Sequence, residues 1–186
     1  MAHKDQLIEN KTFGDKIRFL VSSKDSGGEK LSMEIACKPG AVGPPLHYHP
    51  VQSESFEVVS GELSVVCDDK KIVLKPGEKI TVGPNSAHKW WNEGIEDLVM
   101  IVDLSPALKT EFFLETVYSL DVQNKTNKKT GLPGVLQFAA ILNECYGELF
   151  VVGPPIIAQK FMAKVIGSFA KLIGYKGYVP FPRKGR

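Results

Sequence analysis

The chain has 186 residues, with 43% hydrophobic and 24% charged residues and a formal charge of +2. This length suits one domain or a domain with an extension, and it can bury a core without staples. The apolar content excludes wholesale disorder, and a charge so near zero excludes a dedicated nucleic-acid binder. The charge is unevenly placed. From Leu149 onward there is no Asp or Glu, and the seven basic residues Lys160, Lys164, Lys171, Lys176, Arg183, Lys184 and Arg186 leave that end at +7 and the rest at −5. Any attraction to an acidic partner therefore belongs to the C-terminal end.

In chain order, the first residues carry no apolar run of the kind that opens a secretory signal. Residues 16–22, 31–37, 55–59, 62–67, 71–74, 79–82, 88–92 and 98–104 read as short strands between glycine, proline and aspartate turns. Close, even spacing without a crossover helix predicts an antiparallel barrel or sandwich and not a parallel sheet. The texture changes after Ser105-Pro106. Residues 106–120, 132–150 and 154–173 read as helices, with a polar loop at 123–131 between the first two. The expected organisation is a β-barrel over residues 1–105 and a helical extension over 106–186, packed on the barrel through apolar faces that include Phe112, Phe113, Phe161 and Phe169. No apolar stretch is long enough to span a membrane. Cys37, Cys67 and Cys145 are too few and too scattered for a disulfide scaffold or a thiolate zinc site. They fit reduced thiols and a cytoplasmic location.

Three of the four histidines fall in two clusters. In the first, His47 and His49 are two apart, so on a strand they face the same way and can converge on one ion. Pro50 interrupts the strand, which allows a turn to return Glu54 to that face together with Phe56 and Val58. In the second, His88, Trp90 and Asn92 share a face. Three imidazoles and one carboxylate facing inward make a mixed nitrogen and oxygen site for a divalent transition metal. Iron, manganese, nickel, copper, cobalt and zinc are all compatible with it. Four protein ligands around an octahedral ion would leave two positions open, as a catalytic site requires.

These clusters resemble the two signature motifs of the cupin superfamily. His47, His49, Glu54 and Gly61 follow the spacing of the first motif, with Gly40 one residue further ahead of His47 than the pattern has it. Gly77, His88 and Asn92 follow the second, with Gly83 where the pattern has proline and Asn85 where it has glycine. Asparagine tolerates the left-handed backbone that glycine supplies, so the turn is expected to survive. The resemblance covers about residues 30–104. It is similar to single-domain, quercetin-dioxygenase-like members of the conserved-barrel cupin type, because no second HxH follows His88. It implies a mainly β, jelly-roll double-stranded β-helix, with His47, His49, Glu54 and His88 as metal ligands. It also implies a dioxygenase-like, metal-dependent oxidoreductase acting on a small organic substrate, in which Glu54 stays a ligand or leaves the metal to act as the catalytic base. Two alternatives are a non-catalytic sensor or binding protein and a metal-dependent isomerase or lyase.

Phe56 and Trp90, by parity with Glu54 and His88, are expected to line the cavity and favour a planar or aromatic ligand, although a core role explains Phe56 equally well. Trp91 points outward, and with the helix at 106–120 it could cover an open sheet edge in a homodimer. The third helix carries Lys160, Lys164 and Lys171 on one side, with Ile157, Phe161, Val165, Phe169 and Ile173 elsewhere. The ordinary reading of such a helix is a solvated basic face docked on its own domain, and contact with an anionic membrane surface is the alternative.

Overall fold

Strict alternation sets the inner and outer faces of the longer strands. In β2 (Asp15–Val21), Asp15, Ile17 and Phe19 are buried while Lys16 and Arg18 are exposed. In β10 (Leu98–Ser105), Leu98, Met100, Val102 and Leu104 are buried in turn. The computed structural model describes residues 2–12 and 14–182. Its eleven strands among these residues form two antiparallel sheets. One runs β1 (Leu7–Asn10), β2, β3 (Leu31–Cys37), β10, β5 (Ser53–Ser60), β8 (Lys79–Val82); the other runs β11 (Phe150–Val151), β4 (His47–Tyr48), β9 (His88–Trp91), β6 (Leu63–Cys67), β7 (Lys70–Leu74). The inward side chains of both sheets, Phe19, Phe56, Leu31, Met33, Leu63 and Met100 among them, meet in one core. This is the jelly-roll arrangement expected, with helices following it.

Two turns show why the motif residues are what they are. Gly61 joins β5 to β6 with φ +78°, and a Cβ there would lie 2.5 Å from the carbonyl oxygen of Asp97, so only glycine fits. Asn85 takes φ +65° between β8 and β9, the left-handed conformation expected of it. Its backbone N–H donates to the carbonyl oxygen of His49 at 2.8 Å, which ties this turn to the first histidine cluster.

The helical part departs from expectation in three ways. Helix α1 spans Thr110–Val122, starting four residues later than residue 106. Helix α2 spans only Val135–Glu144. The apolar run that looked like its second half turns at Gly147, with φ +79°, and becomes strand β11. The third helix is one continuous rod made of α3 (Ile156–Phe161), a π-helical turn (Met162–Ile166) and α4 (Gly167–Leu172), helical across each junction. Helix α1 docks on the barrel through Val117 and Tyr118, which belong to the main core. Asp121 near its end accepts hydrogen bonds from the Lys11 N–H at 2.7 Å and the Thr12 hydroxyl at 2.6 Å. The rod docks differently. Ala163, Gly167 and Ala170 are its buried residues, and a Cβ on Gly167 would come within 2.4 Å of the Ala139 carbonyl oxygen in α2. Phe161 and Phe169, expected to be buried, are 56% and 53% exposed. The close approach of two helix backbones leaves room for small residues only, so the aromatics point away.

Asp15 is a buried carboxyl facing Tyr118, whose hydroxyl donates to its Oδ2, while its Oδ1 has no hydrogen-bond partner. Burial pushes this carboxyl from 3.8 up to about 6, against the pull of the Tyr118 hydrogen bond. The folded state therefore holds a proton that the unfolded state releases between these values, and stability falls as pH rises through the window. Asp15→Asn should flatten the pH dependence of denaturation between about 4 and 6 and stabilise the protein at neutral pH by on the order of 1–2 kcal/mol. Chemical denaturation of both proteins across that range checks this; parallel curves would contradict it.

Candidate metal centre

The two histidine clusters meet between the sheets. His47 on β4 stands directly opposite His88 on β9 in an antiparallel pair. Glu54 reaches in from β5 of the other sheet, where it pairs with Leu104 and Val82. His49 follows β4 immediately, held by the Asn85 turn. Pro50 and the two residues after it break the strand, and β5 restarts at Ser53 with Glu54 facing inward, as the spacing implied. The ligand atoms of His47, His49, Glu54 and His88 all lie within 4.8 Å of one another, and all four residues are buried. Ring centroids of His47 stand 5.0 Å from His49 and 4.3 Å from His88.

The imidazoles are oriented by backbone carbonyls. Nδ1 of His47 lies 2.9 Å from the Pro45 oxygen, Nδ1 of His88 lies 3.0 Å from the Ser86 oxygen, and Nδ1 of His49 lies 3.0 Å from the Glu148 oxygen. A proton on each Nδ1 satisfies that carbonyl and turns Nε2 to the centre, which is how metal-ligating histidines are usually fixed. Nε2 of His88 lies 2.9 Å from Oε2 of Glu54, and Nε2 of His49 lies 3.4 Å from the same oxygen. Burial opposes the charge on Glu54, but its close contacts with the His49 and His88 rings outweigh it and hold the carboxyl well below the ordinary carboxylate range. For His88, burial disfavours the charged ring, yet the bond to Glu54 prevails and raises its pKa. Burial alone dominates at His47 and pushes it down to about 4, so its lone pair is free at neutral pH. A divalent cation would replace the proton that His88 shares with Glu54, and the donor set fits one.

Phe56 is fully buried, with its ring 6.2 Å from that of His88. Trp90 shares the inward face of β9 with His88, as parity implied, and its ring covers Gly43, where a Cβ would approach to 2.7 Å. Trp91 faces outward beneath the ammonium groups of Lys71 and Lys89, and its Nε1–H donates to Glu93. His3 is exposed and stands apart from the cluster.

Sequence reasoning missed the C-terminal contribution to this site. Strand β11 extends the sheet at β4, with Val151 opposite His47 and Phe150 opposite Tyr48. The Val152 N–H donates to the Leu46 carbonyl at 2.9 Å. Gln159 on the rod grips β11 from outside. Its Oε1 accepts from the Val151 N–H at 3.0 Å, and its Nε2 donates to the Val151 and Pro154 carbonyls at 2.8 and 2.9 Å. A glutamine at the first exposed turn of a helix gives little sequence signal, because its partners lie on a backbone it reaches only after folding.

The Cupin domain family matches residues 33–103. An oxidoreductase of Arthrobotrys oligospora is 41% identical over 151 residues, which cover 74% of this chain and 58% of that protein. The chain thus spans little more than half the length of that relative. The probable oxidoreductase virH of Hypocrea virens is 32% identical over 152 residues, covering 75% of this chain and 67% of the relative. Among solved structures, an RmlC-like cupin from Shewanella frigidimarina is 27% identical with a TM-score of 0.48, covering 60% of this chain and 94% of the other.

If Gln159 holds β11 against β4, Gln159→Ala should loosen that edge while leaving the barrel folded. Each lost hydrogen bond contributes about 1 kcal/mol, so exchange of the Val152 amide should accelerate roughly tenfold or more. Hydrogen exchange read by NMR measures this, with core amides of β10 as the internal control; unchanged exchange at Val152 would show that β11 stands without the clamp.

Proposed function

This chain belongs to the cupin superfamily, and on that footing we propose that it is a metal-dependent oxidoreductase of the dioxygenase kind, acting on a small organic substrate. His47, His49 and His88 through Nε2, with the carboxylate of Glu54, hold one divalent transition-metal ion. The observation that carries this reading is the convergence of four buried ligand atoms whose three imidazoles are each locked by a carbonyl at Nδ1. The oxidoreductase names of two relatives support the reaction class. When bound, such an ion supplies Lewis acidity and, if redox-active, electrons to an oxygen-bearing substrate. The chain's own residues do the rest. The carbonyl-locked rings keep their lone pairs aimed at one point. Glu54, the one carboxylate of the set, either remains a ligand or accepts a substrate proton at Oε2. Phe56 and Trp90 provide apolar walls that exclude water and favour a planar, aromatic substrate.

The depth of the cluster favours a second reading. His88 is 1% exposed and His47 3%, which suits a metal-dependent binding protein that turns nothing over. The isomerase or lyase alternative shares the metal but consumes no oxygen.

Elemental analysis of untagged protein purified without added metal should find one redox-active divalent ion per chain. The double variant His47→Ala, His49→Ala should fold and lose metal affinity by well over a hundredfold, given that altering even an outer partner costs 10–100-fold. Undiminished metal in that variant contradicts the ligand assignment. Zinc alone at full occupancy contradicts the dioxygenase reaction while leaving the site intact.

A further inference from the structure

The rod of residues 156–172 presents its apolar side to solvent. At 1.5 Å per residue it is about 25 Å long. It rests on α2 through Ala163, Gly167 and Ala170, which recur at helical spacing on one face. The opposite face carries Ile157, Phe161, Val165, Phe169 and Leu172, which are 82%, 56%, 51%, 53% and 83% exposed. A surface helix normally shows the reverse pattern, with its apolar stripe against the core. Lys160, Lys164 and Lys171 lie on the flank between the two faces. The first two rest their ammonium groups over the rings of Phe150 and Tyr146, at 5.9 and 4.7 Å, and Lys171 pairs with Glu144 at 3.0 Å. Glu144 thus balances Lys171, while from Leu149 to Arg186 the chain itself has no acidic residue to offset Lys160 and Lys164. Arg183, Lys184 and Arg186, which complete the basic tail, lie outside the described residues.

We infer that this outer face docks on an anionic lipid surface, with the apolar stripe at the acyl boundary and the lysine flank among the headgroups. Charge decides between the possible occupants. A second copy packed antiparallel, face to face about a two-fold axis across the rods, would bring lysine flank against lysine flank without a carboxylate from this segment between them. A nucleic acid would meet isoleucine, leucine and phenylalanine where its phosphates need cations. An anionic bilayer matches both halves of the face, and an apolar stripe beside lysines is what an interfacial helix presents to it. The rod lies on the surface and does not cross it, because among the described residues no helix is long and apolar enough to span a membrane. The lysines are exposed on a helix docked to its own domain, as expected, but the apolar side is turned to solvent as well, with the lysines at its edge.

The full chain should co-sediment with phosphatidylcholine vesicles that contain phosphatidylserine, far less with phosphatidylcholine alone, and progressively less as salt is added. Phe161→Ser with Phe169→Ser should lower binding at least tenfold. Lys160→Glu with Lys164→Glu should lower it by roughly fivefold per lysine or more. These side chains are exposed, so thermal melting should match that of the parent. Should the phenylalanine variant fail to fold, Ile157→Ser with Leu172→Ser, at the two most exposed positions, gives the same test. Absence of binding to phosphatidylserine vesicles overturns the proposal, as does binding that none of the variants reduces. A dimer in sedimentation equilibrium that the phenylalanine variant converts to monomer, without vesicle binding by the parent, would also overturn it and assign the face to a second copy.

Discussion

A carboxylate placed between two sheets is costly unless it is matched on the spot. Glu54 sits at the level of β4 and β9, where removing it from water would cost several kcal/mol without partners. Its partners are the Nε2 atoms of His88 and His49, at 2.9 and 3.4 Å. This match links the two sheets, since Glu54 comes from one and His47 and His88 from the other. It also links both histidine clusters through a single oxygen. The carbonyls of Pro45, Ser86 and Glu148 then fix the rings by accepting from the Nδ1–H groups, so that the Nε2 atoms have only the centre to face. The site is therefore a solution to a burial problem before it is a metal site, and a divalent ion solves the same problem with more charge.

The same requirement explains why the C-terminal extension is built into the barrel. Strand β4 is two residues long and would end the second sheet with an open edge beside His47. Strand β11 closes that edge, the Glu148 carbonyl just before it holds His49, and Gln159 clamps it from the rod. The rod is in turn held to α2 by three small residues. The metal cluster and the exposed apolar stripe thus share one chain of contacts, from His47 through β4 and β11 to Gln159.

Side-chain spacing made the barrel and the ligand set legible in the sequence. The inward parity of His47, His49 and His88 is a property of strands, and the left-handed turn at Asn85 follows from the residue type. The contribution of β11 was not legible. The four-residue apolar run Leu149–Val152 reads equally well as the end of a helix or as a short buried strand, and its partner β4 lies about a hundred residues away. The carbonyls that orient the histidines have no side-chain signature at all. The rod was misread because Phe161 and Phe169 outweigh Ala163, Gly167 and Ala170 in any count of apolar residues. The backbone contact at Gly167 shows that the small residues mark the docked face. Trp90 and Phe56 illustrate the opposite limit: their inward direction was legible, while packing over Gly43 and against His88 is compatible with both a core and a lining role.

An ion at the point where three Nε2 atoms and the Glu54 carboxylate converge is the centre on which the proposed chemistry depends. Anomalous diffraction from a crystal of the metal-loaded protein, recorded at the absorption edge of the metal found in solution, tests it most directly. The predicted result is one strong peak per chain between the sheets, within bonding distance of His47, His49, Glu54 and His88. A metal peak elsewhere, with Glu54 still hydrogen-bonded to His88 and the centre free of density, would contradict it.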